Sequence, residues 1–326
     1  MFRALLLDRP DGKFEAKLVS LDESALPEGD VTVAVAYSSL NYKDGLAIAD
    51  KGKIVRSFPM IPGVDWAGTV ESSASPAFKP GDRVILTGWG VGETYWGGMA
   101  EKARAKAEWL LKLPPGTDEK WAMTMGTAGL TAMMCVHALE AGGVRREKEV
   151  LVTGAAGGVG SVAVALLAKL GHKVVASTGR KELEPYLKKL GAQAVIDRAE
   201  LAKTPRPLES ERWAGAIDTV GSTTLANVLA SMARRGTVAA CGLAGGHDLP
   251  TTVMPFILRG VRLVGIDSSQ CPIPERDACW RKLAALLPDG LPGEAVEVCG
   301  LADLPKLAEA IVAGKVKGRT IVDVKR

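Results

Sequence analysis

The sequence predicts an α/β protein in which a doubly wound parallel sheet is inserted between two parts of a β-rich, barrel- or sandwich-like domain. Three observations carry this reading. Roughly the first 115 residues hold short strands bounded by Gly and Pro. From about residue 118 strands and helices alternate, the rhythm of a parallel sheet covered on both faces. Past about residue 268 short segments return. The expected division is 1–120 together with 268–326 for the β-rich domain, and 121–267 for the inserted one.

In the first part, Val31–Tyr37 alternates apolar and polar residues, and Gly68–Glu71 and Asp82–Thr87 are short strands. Lys79-Pro-Gly-Asp-Arg83 is a turn, since proline presets φ and glycine accepts a positive one. In the inserted part, Trp121–Ala141 reads as a long helix closed by Gly142-Gly143. Strands are expected at Val150–Thr153, Lys173–Ser177, Ala194–Asp197, Ala216–Val220, Thr237–Cys241 and Val261–Ile266. The tail holds a helix at Leu304–Ala313 and a strand at Arg319–Val324. An insertion of this kind places a cleft at the domain junction.

The densest signal is Val150-Leu-Val-Thr-Gly154-Ala-Ala-Gly157-Gly-Val-Gly160-Ser161. It runs from a β-branched strand through a glycine-rich turn into the apolar helix Ser161–Leu170, which Gly171 closes as a left-handed cap. Glycine lets the backbone approach a phosphate, and the N–H groups of the helix's first turn point at the anion. The glycine spacing alone is weak, but strand, loop, helix and second strand make a βαβ unit of about 30 residues, as a dinucleotide fingerprint requires. The pyrophosphate then falls to Gly157, Gly158, Val159, Gly160 and Ser161. About 20 residues on, an NAD site carries Asp or Glu for the ribose hydroxyl. Here the chain reads Ser177-Thr178-Gly179-Arg180-Lys181, which is a 2′-phosphate site: NADPH is the expected cofactor, with Arg198 a second cation at the adenine edge. Leu243 and Ser268 follow strands at their carboxyl ends; that they meet the nicotinamide is what the family resemblance given below implies. Ile257 is a further candidate, or a core residue.

Composition bounds the rest. The chain has 326 residues, 47% hydrophobic and 24% charged, as globular proteins have. Its formal charge of +4 comes from dispersed cations, which does not call for nucleic acid. No apolar run suits a membrane span, and the N-terminus does not read as a signal peptide. Cys135, Cys241, Cys271, Cys279 and Cys299 are odd in number and lack CxxC spacing, so reduced thiols and a cytoplasmic setting are expected. His137, His172 and His247 form no cluster for a metal; His137 reads as core or interface and His172 as solvent-facing.

Ile61-Pro-Gly-Val-Asp65-Trp-Ala-Gly68, Lys79-Pro-Gly-Asp-Arg-Val84, Gly126-Thr-Ala-Gly-Leu-Thr-Ala132 and the glycine loop resemble the medium-chain dehydrogenase/reductase superfamily along essentially the whole chain. The resemblance implies a GroES-like substrate domain and a Rossmann domain. Ser39–Asp44, Leu86–Gly92, Ala214–Gly221, Ala239–Gly246 and Leu249–Arg259 are similar to one branch, the NADPH-dependent acryloyl-coenzyme A reductases, often described as quinone oxidoreductases. Where the zinc-dependent members carry a cysteine ligand this chain has Asn41, and where they carry Gly-His-Glu it has Gly63-Val64-Asp65. Valine binds no metal, and the four-cysteine lobe is missing, so no zinc is expected.

Without a Lewis acid, the accessible chemistry is reduction of an activated C=C bond: hydride to the β-carbon, charge onto the carbonyl oxygen, and a proton to the α-carbon. Acryloyl-CoA to propanoyl-CoA is the reaction the resemblance implies. The alternatives are a quinone or general enone reductase and a non-catalytic NADPH-binding protein. Candidate donors sit on the Asn41-Tyr42-Lys43-Asp44 turn. The Tyr42 hydroxyl orients the nicotinamide, supplies the proton, or only packs at the junction, three alternatives the residues leave open; Asn41 is expected to bind the carbonyl oxygen; Asp44 reads as a loop anchor. Trp89, Tyr95 and Trp96 either wall the cleft or pack on the surface. The resemblance also implies a homodimer through the cofactor domain, with the apolar run in Thr251–Ile266 either an edge strand paired between subunits or a strand buried within one chain.

Overall fold

The computed structural model describes all 326 residues. In chain order the elements are β1 (Phe2–Asp8), β2 (Glu15–Leu21), β3 (Val31–Leu40), α1 (Tyr42–Ile48), β4 (Asp65–Ser73), β5 (Arg83–Thr87), β6 (Lys102–Ala105), β7 (Leu111–Lys112) and α2 (Glu119–Ala141). There follow β8 (Glu149–Val152), α3 (Gly158–Lys169), β9 (Lys173–Thr178), α4 (Glu184–Lys189), β10 (Ala194–Asp197), β11 (Trp213–Asp218), α5 (Ser222–Ala230), β12 (Met232–Ala240), α6 (Met254–Arg259) and β13 (Arg262–Gly265). The chain closes with α7 (Ile273–Leu286), β14 (Val296–Cys299), α8 (Leu304–Val312) and β15 (Arg319–Asp323).

The chain divides into two compact units, Met1–Ala128 with Ser268–Arg326, and Gly129–Asp267. In the first, a sheet runs β14-β15-β3-β4-β5-β7, with β6 also on β3, and a separate β1–β2 hairpin. All these neighbours are antiparallel except β14 and β15. Alternation buries Val31, Val33 and Val35 against Trp66, Val70, Val84 and Leu86, the two-residue period of a strand with one face to the core. This is the β-rich, GroES-like half.

The second unit is a six-stranded parallel sheet in the order β10-β9-β8-β11-β12-β13. Connections leave β8 in opposite directions, so the turn after β8 lies at the reversal of strand order, where doubly wound sheets bind ligands. Val150, Leu151, Val152, Val174, Val175 and Ala176 are buried on both faces, as strands covered by helices must be.

The structure corrects three expectations. The run around Val253–Leu258 is not a strand: Met254–Arg259 is helical, with Pro255 in its first turn and Gly260 in a left-handed C-cap. A proline fits a helix's first turn and lacks the donor a central strand needs. Only Arg262–Gly265 pairs, as the edge of the sheet. His172 is buried, not solvent-facing, and loss of hydration holds its imidazole below the usual range. Finally, α2 is long and apolar enough to cross a membrane, but 83% of its apolar stretch is buried, which makes it a core helix. It is interrupted at Gly126, whose φ of 53° and ψ of −156° leave helical space.

Candidate active site

In the parallel-sheet unit the glycine turn leaves β8 and feeds α3, with Gly157 as its N-cap. The first-turn N–H groups of Gly158, Val159 and Gly160 have no partner inside the helix by construction. Gly160 is required by contact: a Cβ there would stand 2.3 Å from the Gly154 carbonyl oxygen. The helix therefore begins directly on the turn, and its amides can reach a pyrophosphate. Ser161 does not share that role through its side chain. It is wholly buried, and its hydroxyl accepts from Tyr186 at 2.8 Å and donates to the Ala155 carbonyl at 3.3 Å. At the strand ends, the Thr153 hydroxyl donates to Asp218 at 2.7 Å, tying β8 to β11.

The second loop follows β9. Ser177 and Thr178 are buried in register with Ile196 and Asp197 of β10. Thr178 Oγ1 accepts from the Arg180 N–H at 3.1 Å, which turns the chain outward at Gly179 and leaves Arg180 half-buried. A Cβ at Gly179 would meet Arg198 Nε at 2.4 Å. Arg198, from the turn after β10, thus packs against Gly179, and the loops after β9 and β10 together carry two hydroxyls and two arginines. That is the donor set a 2′-phosphate needs, and no carboxylate stands where a ribose hydroxyl would be read. Leu243 and Ile257 are exposed, at 62% and 72%, which removes the core reading of Ile257. Ser268 belongs to the other unit, where its carbonyl accepts from Arg276 at 3.1 Å.

In the β-rich unit Asn41 caps α1, and Asp44 Oδ2 accepts from the Asn41 N–H at 2.9 Å, half of a capping box. Asp44 Oδ1 accepts from the Val64 N–H at 2.9 Å. Asp44 is thus the anchor of the turn. Tyr42 is the first residue of the helix and is 39% exposed. Asn41 is used differently from expectation. Its amide nitrogen donates to Asp65 Oδ2 at 3.0 Å, Ser39 Oγ at 3.2 Å and Asp44 Oδ2 at 3.2 Å, and its carbonyl accepts from Arg319 Nη1 at 3.2 Å. With the Ser39 carbonyl at 3.4 Å as a fourth, two amide hydrogens directed at four internal acceptors leave none for a substrate oxygen.

Asp65, Ser39, Arg319 and Gly126 were not expected to take part. Asp65 Oδ1 accepts from the Ser39 hydroxyl at 2.7 Å, and Oδ2 from the Thr127 N–H at 2.7 Å. Arg319 Nη2 donates to Ser39 Oγ at 2.7 Å and Nε to the Thr124 carbonyl at 3.0 Å. Burial and the neighbouring Asp65 carboxylate push the Asp44 carboxyl up to about 7. A zinc ion does not fit this set. Val64 offers no donor, and a guanidinium already lies among the carboxylates. Of the aromatic loop, Tyr95 stacks edge-on to Trp109 at 5.1 Å and donates to the Glu28 carbonyl, and Trp96 donates to the Pro59 carbonyl at 3.1 Å. Both pack within the unit. Trp89 takes a φ of 58° and lies 5.0 Å under the Arg276 guanidinium.

Comparison with known proteins agrees with both units. Residues 27–115 match the alcohol dehydrogenase GroES-like domain and residues 158–287 the zinc-binding dehydrogenase model. The chain is 58% identical to the probable acrylyl-CoA reductase of Escherichia coli and 52% identical to the acrylyl-CoA reductase of Ruegeria pomeroyi, each covering 99% of both chains. Its structure superposes on an oxidoreductase of Salmonella enterica solved with NADP, with a TM-score of 0.95, 56% identity and 99% of each chain covered.

Proposed function

The chain belongs to the medium-chain dehydrogenase/reductase superfamily, and from that membership we propose that it reduces the C=C bond of a short 2-enoyl thioester of coenzyme A, acryloyl-CoA to propanoyl-CoA, with NADPH. The observation that carries this is the identity of 58% and 52%, over 99% of the chain, to acrylyl-CoA reductases, joined to two neighbouring loops whose hydroxyls and arginines suit a 2′-phosphate. Gly157, Gly158, Val159 and Gly160 hold the pyrophosphate by their backbone; Ser177, Thr178, Gly179, Arg180 and Arg198 hold the phosphorylated ribose. Leu243, Ile257 and Ser268 are assigned to the nicotinamide end. When bound, NADPH supplies the hydride that adds to the β-carbon.

The protein's own part is to place the thioester, stabilise negative charge on its oxygen and deliver a proton to the α-carbon. Tyr42 carries the proton: its hydroxyl is the exposed acid on the turn, and the amide of Asn41 is turned inward. A homodimer through the parallel-sheet unit belongs to the same reading; what supports it is the edge position of β13 and the exposure of Val253, Met254 and Leu258 in the segment that leads to it. Five cysteines that form no disulfide suit the cytoplasm.

The reaction is tested by steady-state turnover of acryloyl-CoA and of simple quinones with NADPH. Higher kcat/KM for acryloyl-CoA is expected, and Tyr42→Phe should lower kcat more than it raises KM. A far higher kcat/KM on quinones would replace this reading with the quinone one.

A further inference from the structure

Three ionisable side chains lie inside the β-rich unit within one hydrogen-bonded cluster: Asp44, Asp65 and Arg319, exposed by 1%, 0% and 2%. Taking a charge out of water costs several kcal/mol, and apolar residues of similar volume commonly serve stability as well. Such a cluster is better at holding one geometry than at holding a fold together. Each member is engaged. Arg319 donates to the Thr124 and Met123 carbonyls, to Asn41 Oδ1 and to Ser39 Oγ. Asp65 accepts from Ser39 N–H at 3.1 Å, Ser39 Oγ–H, Asn41 Nδ2 and Thr127 N–H. The chain bends to allow this. A Cβ on Gly126 would stand 2.6 Å from Arg319 Nη2 and 2.9 Å from Asp65 Oδ2 and Ser39 Oγ, and the break in α2 at Gly126 directs the Thr127 amide at Asp65.

The charges converge on one neutral group, the Asn41 amide, which is gripped by Asp65 and Ser39 on its nitrogen and by Arg319 on its oxygen. Asn41 is the residue before Tyr42. We propose that Arg319, Asp65 and Ser39 are positioning residues for proton delivery: they lock the Asn41 amide and thereby the first turn of α1, so that the Tyr42 hydroxyl is presented in one orientation. The Arg319 guanidinium, carried by β15, thus stands as a fixed cation behind this turn. This inference rests on the enoyl-thioester reading and on Tyr42 as its proton donor.

A double-mutant cycle separates positioning from structural support. Arg319→Lys keeps the charge but removes the planar fork that serves four acceptors. It should lower kcat for acryloyl-CoA by about tenfold or more, the scale of a small misplacement of a reacting group, with KM for NADPH within about twofold. In the Tyr42→Phe background the same change should cost less than about twofold, because the group being positioned is already gone. Ser39→Ala, which deletes only the hydroxyl between Arg319 and Asp65, should show the same pattern and serves if Arg319→Lys fails to fold. Equal losses in both backgrounds, or wild-type kcat in the single variants, would overturn the inference. Wild-type protein that turns over no enoyl thioester would overturn the reaction reading first, before any substitution is made, and this inference with it.

Discussion

The Ser39 hydroxyl is a two-way bridge between Arg319 and Asp65: its oxygen accepts from Nη2 at 2.7 Å, and its proton goes to Oδ1 at 2.7 Å. A hydroxyl has one proton to give. With Arg319 and Asn41 both donating to Oγ, the direction of the bond to Asp65 is decided. The bridge also joins strands from opposite ends of the chain, since β3 pairs with β15 through Ser39 and Ile321 and with β4 through Ser38 and Trp66.

Cofactor choice is expected to rest on Arg180. Arg180→Ala should weaken NADPH binding by about 1.5–3 kcal/mol, the range of a hydrogen bond to a charged group, and leave NADH binding nearly unchanged. Fluorescence titration of both nucleotides measures this. Equal losses for the two would remove Arg180 from the 2′-phosphate.

Asp44 makes stability depend on pH in an unusual direction. Its carboxyl is held at about 7 in the fold against 3.8 for the free side chain, through burial and Asp65. The folded state therefore binds more protons than the unfolded one between these values, so stability falls as pH rises from about 4 through 7. The contribution is on the order of 4 kcal/mol. Urea midpoints of wild type and Asp44→Asn across this range should converge in acid and show the steeper fall for wild type. Parallel curves would refute the assignment. His172 works the opposite way, its lowered value adding stability as pH rises, and it cancels in the comparison.

The exposed face of α6 should hold the dimer. Leu258 is 47% exposed on α6, the helix that precedes the edge strand β13, and a carboxylate at a two-fold contact meets its own copy. Leu258→Asp should shift sedimentation at micromolar concentration from dimer to monomer without changing the far-ultraviolet spectrum. A monomeric wild type at that concentration would dispose of the dimer itself.

Local chemistry was legible in the sequence because its causes are local. The βαβ period, the glycines between Gly154 and Gly160, and the cationic loop after β9 each depend on neighbours a few residues away, and β10 runs over the expected residues Ala194–Asp197. The capping role of Asp44 lies within three residues of Asn41 and could be read for the same reason. What depends on distant partners could not. Arg319 and Ser39 are 280 residues apart, and no spacing rule joins a cation at the start of the last strand to a serine at the end of the third. The inward turns of the Ser161 hydroxyl and the Asn41 amide follow from acceptors and donors that only the folded chain supplies. Burial of His172 and the helical form of Met254–Arg259 were settled the same way, by packing and by a proline whose place in an element decides what it permits. Sequence pattern set the two sheets and the dinucleotide turn; tertiary structure alone put the Arg319 guanidinium against Ser39 and Asn41, because contacts across a sheet have no period along the chain.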